Sequence, residues 1–354
     1  MVVSLVLLFI TCFSLSFVED RLGDREKKIL YVLFGIAMII IAGTREVGST
    51  PDTESYEDMF YSGEDSISML LTEPSFGIIT NILQSMSLGI NALFFVYAIL
   101  AVPIQLSALW RFSKIPLLML TVYLSYYYMI HDMVQIRCAV ASGLFLWAIY
   151  FYVERKPVLT LLFILIGIFF HFSAAAGLII FFLGNGFPRW QRYLLYAIVP
   201  VGLVVYVTHI DIFSLVPDEL GGLKLMKYRT MREKGIEDEL AGWKLGSNLL
   251  IWMNIVLYYA CIYYHDYLVK HFKYTSVAIK LQGVGFIFLF FVNALSMVVG
   301  NRMCDYFSIA SVLLWTASVY AFTPIIIGKI INNVISAVRF VASVLAYGLA
   351  LMFM

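Results

Sequence analysis

The sequence predicts an all-α, polytopic integral membrane protein, and two observations support that prediction. Of the 354 residues, 62% are hydrophobic and only 13% are charged, which leaves too little polar surface for a soluble domain of this size. Apolar runs recur along the chain, and runs of about 17–25 apolar residues cross a bilayer as helices. A membrane β-barrel would need short strands of alternating polarity, and the sequence lacks that pattern.

Hydropathy predicts about twelve spans in a single transmembrane domain that covers residues 1–354. The first apolar run follows no basic segment and ends at no small-residue cleavage site, so we interpret it as a retained helix whose amino terminus is outside. One run, 157–183, is long and interrupted. The others lie near 2–18, 29–43, 91–110, 115–130, 135–153, 193–208, 246–264, 276–299, 303–321 and 335–353.

The interruption of the run 157–183 at His171 determines the topology. If this run crosses the membrane twice, or dips in and returns, the short basic loops share the cytoplasmic side with the first loop, as the positive-inside rule favours. A single crossing would invert the later part of the chain and would move Arg302 inside. We therefore favour the double crossing, which places these basic loops inside: RFSK (111–114), ERKP (154–157), FPRWQR (187–192) and VKHFK (269–273).

Two long segments lie outside in this topology, at residues 44–89 and 209–245. From Glu73 and the proline that follows it, the first segment is apolar enough for a helix on the outer leaflet. The second contains the basic stretch KLMKYRTMREK, in which Arg229 and Arg232 are candidates for binding phosphate groups. The alternative is a solvated loop whose acidic residues offset its cations.

The densest polar patch, GTREVGSTPDTESYEDMF, follows the second span. Arg45 lies at its start, where a guanidinium can hold a phosphate through two hydrogen bonds. Asp52 precedes Tyr56 by four residues, so both share one face of a helix, and a carboxylate in a partly desolvated cleft can act as a general base. The alternative is structural: Arg45 extends to the interface and Asp52 caps a short helix.

Three further polar residues lie at span ends or breaks. Arg137 begins a span, and an intramembrane arginine is a functional candidate, unless it only pairs with Asp132. His171 could act as base, acid or hydrogen-bond donor to a leaving phosphate, or be a hydrogen-bonded core histidine. Arg302, at a predicted outer turn, adds a third arginine on that side, unless it forms a local ion pair with Asp305.

The sequence contains no signature of a metal site or a cofactor. The five histidines lack metal-binding spacing. The net charge of +1 by itself says nothing about a partner, and we expect no nucleic-acid partner. All four cysteines lie in or beside apolar runs, so we expect them to be small buried hydrophobic residues. They are Cys12, Cys138, Cys261 and Cys304.

The polar motifs occur in a definite order that resembles a known family. They are Gly43-Thr44-Arg45, Asp52 and Tyr56, Glu73-Pro74 with Phe76, Gln135 and Arg137, Phe170-His171, and an outer turn with Arg302. This ordered set, over about residues 30–310, resembles the EpsG-like family of Wzy-type polymerases of bacterial O-antigen, capsule and exopolysaccharide. Each motif is short, and the ordered set is more specific than any one of them.

The resemblance implies a GT-C-like helical glycosyltransferase in the bacterial inner membrane. The enzyme would transfer a glycan from undecaprenyl pyrophosphate onto a second lipid-linked repeat unit at the periplasmic face, without a metal. The expected partners are the lipid-linked oligosaccharide, membrane lipid and a chain-length-regulating co-polymerase.

The resemblance also implies roles for individual residues. Arginines 45, 137 and 302 would bind pyrophosphate, Asp52 or His171 would accept the proton of the acceptor hydroxyl, and Glu73 and Tyr56 would order the catalytic cleft. The sequence departs from the family at one point, because three residues separate Asp52 from Tyr56, where the family tends to have an aspartate and a tyrosine close together. Glu54 therefore competes for the role of base.

Three other functions compete with a polymerase. A flippase or transporter would have polar residues through the depth of the membrane and broken spans in repeated halves, whereas the sequence has no internal repeat. A membrane O-acyltransferase with His171 as base would leave the outer arginines without a purpose. A ligase of lipid-linked glycans would differ mainly in its acceptor.

Overall fold

The computed structural model describes residues 1–50, 52–62, 74–208, 248–292 and 297–348. Within these ranges the chain is helical and contains no strand, which confirms the predicted all-α class. Six of the described helical segments are long and apolar enough to cross a membrane; the total of twelve crossings stays a prediction. The six are Val2–Arg21, Ile90–Phe112, Ile136–Val153, Arg189–Thr208, Thr275–Val292 and Ile325–Ala346.

The described α-helices are numbered in chain order. They are α1 (Val2–Val18), α2 (Asp24–Gly43), α3 (Thr53–Ser62), α4 (Pro74–Ser85), α5 (Ile90–Phe112), α6 (Pro116–Leu124), α7 (Ile136–Val153), α8 (Pro157–Phe170), α9 (Ile180–Leu183), α10 (Arg189–Thr208), α11 (Leu249–Tyr263), α12 (His265–His271), α13 (Thr275–Ile287), α14 (Met297–Ser308), α15 (Ser311–Ser318) and α16 (Ile325–Gly348). Two π-helices, Tyr128–Val134 and Phe288–Val292, and three 3₁₀ segments, Glu19–Arg21, Phe172–Ile179 and Val319–Ala321, complete the described elements.

The chain forms two compact units. The first contains Met1–Phe182 and Trp315–Met354, and the second contains Leu183–Leu314.

Local chemistry explains where several helices of the first unit begin. Proline occupies the first position of α4, α6 and α8, where its fixed φ suits a helix and no backbone N–H is needed. The carboxylate of Glu19 accepts hydrogen bonds from the backbone N–H groups of Leu117 and Leu118, at 2.7 and 3.2 Å. These donors have no partner within α6 itself, so Glu19 completes its first turn.

The interior of the first unit is formed by α6 and the π-helix Tyr128–Val134. Every residue in both segments is buried, and helix α6 has only nine residues. The sequence predicted a span at 115–130, and that span stays a prediction: α6 is followed, after three residues, by the π-helix. Neighbouring helices enclose the segment: the Cys12 sulfur of α1 lies 3.3 Å from the Thr121 hydroxyl, and Ser343 of α16 donates to the Ser125 carbonyl at 2.8 Å.

Glycines allow α2, α5 and α7 to pack closely, as small residues do between membrane helices. A Cβ atom at Gly43, the last residue of α2, would lie 2.3 Å from the ring of Phe95 in α5. A Cβ at Gly143 of α7 would lie 2.8 Å from Gln105 of α5, whose amide donates to the Ala139 carbonyl at 2.9 Å. These contacts fix the three helices that carry most of the candidate site.

The predicted interruption at His171 is present in the structure. Helix α8 ends at Phe170, and the chain continues as a 3₁₀ segment, Phe172–Ile179. A Cβ at Gly167 would lie 3.1 Å from the Ala174 Cβ, whereas residues seven apart in one straight helix are about 10 Å apart. The chain therefore folds back at His171. Because α8 has 14 residues and a span needs about 20, the geometry favours a segment that enters and returns.

The second unit is organised around α13, whose residues are buried from Thr275 to Phe286. Helices α10, α11 and α14 pack against it. The Tyr258 hydroxyl of α11 donates to the Leu195 carbonyl of α10 at 3.0 Å. The Lys280 ammonium of α13 donates to the carbonyls of Leu183 and Gly184 at 2.8 and 2.9 Å, so this buried cation holds the end of α9.

Candidate functional site

The site begins where α2 ends. The Thr44 hydroxyl donates to the Ile40 carbonyl at 2.7 Å and closes the last turn of the helix. Arg45 then turns into the first unit, and its side chain is only 2% exposed. Its Nη1 atom donates to the carbonyls of Ala42, at 2.7 Å, and Asp132, at 3.1 Å. The arginine therefore joins the end of α2 to the π-helix.

The Arg45 guanidinium is held by an aromatic ring and lacks a carboxylate that hydrogen-bonds to it. Its central carbon lies 4.1 Å from the centroid of the Phe94 ring, a cation–π distance. Among the described residues, its Nε and Nη2 atoms have no hydrogen-bond partner. Burial lowers the pKa of Arg45 to about 10, against the opposing influence of Tyr56, Tyr128 and Asp132. The side chain thus stays protonated at neutral pH with two donors unused.

The loop after Arg45 is also fastened to the π-helix. The Thr50 hydroxyl donates to the Met133 carbonyl at 2.9 Å, and the Thr53 hydroxyl donates to the Thr50 carbonyl at 2.7 Å. Asp52 lies directly before α3 and is half-buried; its carbonyl accepts the backbone N–H of Tyr56 at 3.0 Å. The Thr50 bond thereby ties the loop that carries Asp52 to the π-helix.

Arg137 lies at the start of α7 and meets two aromatic rings from different segments. Its guanidinium carbon is 5.3 Å from the Tyr56 ring centroid and 5.2 Å from that of Phe76. The two rings are 6.2 Å apart. Tyr56, Phe76 and Phe94 belong to one hydrophobic cluster. Because Tyr56 also acts electrostatically on Arg45, the structure brings Arg45, Tyr56 and Arg137 together.

The carboxylate of Asp132 is engaged by Tyr123 and not by Arg137. The Tyr123 hydroxyl donates to Asp132 Oδ2 at 2.5 Å, and both residues are buried. The structural alternative for Arg137, an ion pair with Asp132, is therefore not formed. Asp132 instead holds the π-helix in place, and the π-helix in turn presents the carbonyl that binds Arg45.

His171 caps the 3₁₀ segment that follows α8. Its Nδ1 atom accepts the backbone N–H of Ser173 at 3.1 Å, so this nitrogen carries a lone pair and the neutral ring bears its proton on Nε2. In that tautomer Nε2 is a hydrogen-bond donor. The preceding residue, Phe170, packs against the same hydrophobic cluster as Tyr56 and Phe76.

A cavity opens at the Arg45 end of α1 and α2. Its volume is about 400 Å³. The polar lining residues are Ser4, Thr44, Arg45, Glu46 and Ser49, and the apolar ones are Met1, Val2, Ile40 and Ile41. The buried Ser49 hydroxyl has no hydrogen-bond partner among the described residues. The cavity therefore has three unsatisfied donors on its lining residues.

An apolar groove of about 460 Å³ runs between α1 and α2 and shares Ser4 and Ile41 with that cavity. Its other lining residues are Leu7, Leu8, Thr11, Leu15, Leu30, Leu33, Phe34 and Ala37. The polar chamber and the apolar groove thus adjoin at Ser4 and Ile41. No pattern in the sequence indicated this opening.

Four further site residues were predicted from the sequence. Arg302 belongs to the second unit and lies within helix α14, so the predicted turn at this position is wrong. The helix continues because it packs on α13: a Cβ at Gly285 would lie 3.3 Å from Phe307 and 3.4 Å from the Cys304 carbonyl. Three predicted residues, Glu73, Arg229 and Arg232, lie outside the described residues.

Sequence reasoning missed two kinds of residue. Phe94, which supports Arg45, looks like an ordinary core residue in an aromatic-rich chain, and Phe76 appeared in the motif order without a role of its own. Arg339 lies in the last predicted span, is 1% exposed, and has its guanidinium carbon 5.2 Å from the Trp315 ring and 5.5 Å from the Tyr127 ring. An arginine inside a span was a signal that could have identified it.

The other expectations concern cysteines and metals. All four cysteines are buried, and no disulfide joins them, as expected for small core residues. Within the described part of the chain, no group of three or more His, Cys, Asp or Glu side chains is arranged to hold a metal ion.

The chain was compared with known protein families. The family model described as the EpsG family matches residues 28–354, nearly the whole chain. The chain belongs to the EpsG family. This result confirms the resemblance seen in the sequence, and the match includes Arg45, Arg137, His171 and Arg302. Comparisons with curated proteins and with solved structures gave no match.

Proposed function

We propose that this EpsG-family protein is a membrane glycosyltransferase that polymerises undecaprenyl-pyrophosphate-linked oligosaccharide units into O-antigen or capsular polysaccharide at the periplasmic face. The family membership and the apolar helices support a membrane polymerase. In the reaction, the acceptor hydroxyl attacks the anomeric carbon of the growing glycan. The bond to the lipid pyrophosphate breaks, and a base takes the hydroxyl proton.

The unsatisfied donors at the Arg45 cavity carry the proposal. A buried guanidinium without a carboxylate on it is costly unless an anion completes it. Arg45 and Ser49 line one chamber, and two Arg45 nitrogens and the Ser49 hydroxyl, all buried, have no hydrogen-bond partner among the described residues. Fixed donors of this kind stabilise charge that develops on a leaving group, and a departing pyrophosphate is such a group.

The groove between α1 and α2 supports the lipid part of the proposal. It is lined almost entirely by apolar side chains and meets the polar chamber at Ser4 and Ile41. A polyprenyl chain in the groove would hold its pyrophosphate beside Arg45. No free sugar nucleotide would need such a channel, so the two connected spaces favour a lipid-linked substrate.

We assign the remaining roles as follows. Arg137, supported by Tyr56 and Phe76, is the second pyrophosphate-binding arginine. Asp52 is the base, because it lies half-buried on the fastened loop near Tyr56. His171 donates a hydrogen bond through Nε2 to the substrate. Roles for Glu73 and Arg302 rest on the sequence resemblance, and those for Arg229 and Arg232 rest on the basic stretch that contains them.

Reconstitution tests this function directly. The purified protein in liposomes, supplied with a pyrophosphate-linked repeat unit, should produce a ladder of longer lipid-linked glycans. Transport of the unit across the bilayer without lengthening would support a flippase instead. Acylation of the glycan without lengthening would support an acyltransferase. In either case the polymerase proposal fails.

In cells, Arg137→Ala or Arg302→Ala should abolish polymer ladders while single repeat units remain on the lipid. The reason is that both side chains would hold the pyrophosphate in the transition state. A glycan gel reports both products. Normal ladders with the Arg302 change would remove that residue from the site, and normal ladders with the Arg137 change would argue against the arginine clamp itself.

A further inference from the structure

Helix α2 borders a second groove. The polar end of this groove lies at the end of α2 that is opposite to Arg45. This groove has a volume of about 590 Å³ and lies between α2 and α5. Lys28 and Arg111 are its charged lining residues, and no acidic residue lines it. The other lining residues are Tyr31, Val32, Gly35, Ile36, Ile39, Val102, Pro103, Leu106, Ser107 and Trp110.

The groove is separate from the chamber of the proposed function. Along α2, the α1 side presents Leu30, Leu33 and Phe34, whereas the α5 side presents Val32 and Ile36. This groove shares no lining residue with the chamber beside Arg45 or with the groove between α1 and α2. Lys28 and Arg45 are 17 positions apart, or about 25 Å at 1.5 Å per helical residue, so the two cationic ends lie at opposite ends of α2.

We propose that this groove binds an anionic phospholipid of the cytoplasmic leaflet, with the phosphate between Lys28 and Arg111 and one acyl chain along α2. Both cations are exposed, and neither has an ion-pair partner among the described residues. The basic loop that contains Arg111 is predicted to be cytoplasmic. Basic pockets between helices on that side bind anionic lipid headgroups.

The shape of the groove fits a lipid of one leaflet. From Lys28 to Ile39 it extends about 16 Å along α2, which is about half of a hydrocarbon core of about 30 Å. Gly35 keeps the two helices close at its floor, since a Cβ there would lie 2.9 Å from Leu106. Tyr31 and Trp110, whose rings are 5.1 Å apart, form the boundary between headgroup and chain, as aromatic side chains do at interfaces.

Bound lipid would connect the two helices that hold the candidate site at their other ends. Helix α2 leads into Arg45, and α5 carries Phe94 beneath its guanidinium. The lipid site does not depend on the proposed function, because the groove and its charges exist whatever reaction occurs at Arg45.

Fluorescence quenching in nanodiscs tests the proposal. The full chain is placed in phosphatidylcholine nanodiscs that contain a small fraction of brominated lipid, either phosphatidylglycerol or phosphatidylcholine. Subtracting the quenching measured with a Trp110→Phe variant isolates the signal of Trp110. We expect brominated phosphatidylglycerol to quench Trp110 at about a tenfold lower content than brominated phosphatidylcholine, because two cations favour the anionic headgroup. Equal quenching by the two lipids would overturn the proposal.

Two pairs of variants test headgroup and chain separately. Lys28→Ala with Arg111→Ala should remove the preference, whereas Arg25→Ala with Lys114→Ala, equal in charge but outside the groove, should keep it. Val32→Phe should fill the groove and weaken quenching. The neighbouring Leu33→Phe, which faces the other groove, should not. Val32 and Leu33 are 61% and 55% exposed, so both changes are compatible with folding.

Two outcomes of these pairs argue against the lipid. If the preference survives in the double alanine variant, the cations do not hold the headgroup. If Val32→Phe leaves quenching by brominated phosphatidylglycerol unchanged, the acyl chain plays no part and the site binds the phosphate group alone.

Discussion

Arg45 and Arg192 lie on phenylalanine rings in the two units, yet their surroundings differ. The Arg45 guanidinium is 4.1 Å from Phe94 and that of Arg192 is 5.5 Å from Phe187. Arg192 also donates to the carboxylate of Asp266 at 2.6 Å, and its side chain is 29% exposed. Arg45 is buried and bonds only to backbone carbonyls.

The carboxylate makes the difference between a structural arginine and a candidate binding residue. Asp266 neutralises Arg192, so an added anion would gain little there. Arg45 keeps its charge in a low-dielectric setting where electrostatic attraction is strong. A chamber lies beside it, and two of its donors are unused. The aromatic support is common to both sites and by itself identifies neither.

The largest expected effect comes from Arg45→Met. The change keeps an unbranched side chain of similar length but removes the donors, so polymerisation should fall about 100-fold or more. Removing a buried charge that lacks an acidic partner should leave the melting temperature within a few degrees. Lipid-linked polymer formed per folded protein is the measurement.

The matched control is Arg192→Met, which should keep the polymerisation rate. If both variants lose activity equally, the carboxylate beside Arg192 does not distinguish a structural arginine from a binding arginine. Activity retained in Arg45→Met would remove Arg45 from the site.

His171 provides the next effect, because its tautomer distinguishes a donor from a base. Gln places an amide N–H near the position of Nε2, so His171→Gln should keep the rate within about tenfold if the ring donates a hydrogen bond. If His171 is instead a general base, the same variant should lose about 100-fold or more in rate. His171→Glu, which offers an acceptor, should then be the faster of the two variants. The ratio of the two rates decides between the roles.

Glu19 affects stability and not the reaction. Glu19→Gln replaces one of two oxygens that cap α6 with an amide N–H, leaving a buried donor unpaired. We expect a loss of about 1–3 kcal/mol of unfolding free energy, seen as a lower melting temperature with an unchanged rate per folded protein. Glu26→Gln is the control, since Glu26 accepts one exposed N–H, that of Gly23 at 2.8 Å. An equal loss in both variants would contradict the role of burial.

The smallest effect concerns the pair Arg192–Asp266. A double-mutant cycle with Arg192→Met and Asp266→Asn should give a coupling below about 1 kcal/mol, because Asp266 is 75% exposed. Hydrogen bonds from His265 and Arg192 lower the pKa of Asp266. Its contribution is therefore present above the unfolded pKa of about 3.9 and disappears as the pH falls through the lower folded value. A coupling that grows on acidification would contradict this assignment.

Particular residues show how far the sequence alone could predict the site. Arg45, Asp52 and Arg137 were identifiable because charged residues at the ends of apolar runs are rare. Their meeting was not predictable, since 91 positions separate Arg45 from Arg137 and only packing through Tyr56, Phe76 and Phe94 joins them. Arg302 was placed in a turn because it lies between the predicted spans 276–299 and 303–321, whereas packing on α13 continues the helix through this position.

The sequence by itself determined the helical class, the order of the polar motifs and the interruption at His171. The physical reason is that a chain in lipid satisfies its backbone hydrogen bonds within each helix, so apolar runs predict helices directly. Only the tertiary structure decided that α6 and the π-helix form an interior, that Arg45 lacks a bonded carboxylate, and that α2 has a groove on each side. Those features depend on which side chains neighbouring helices present, and no local pattern in the sequence encodes that choice.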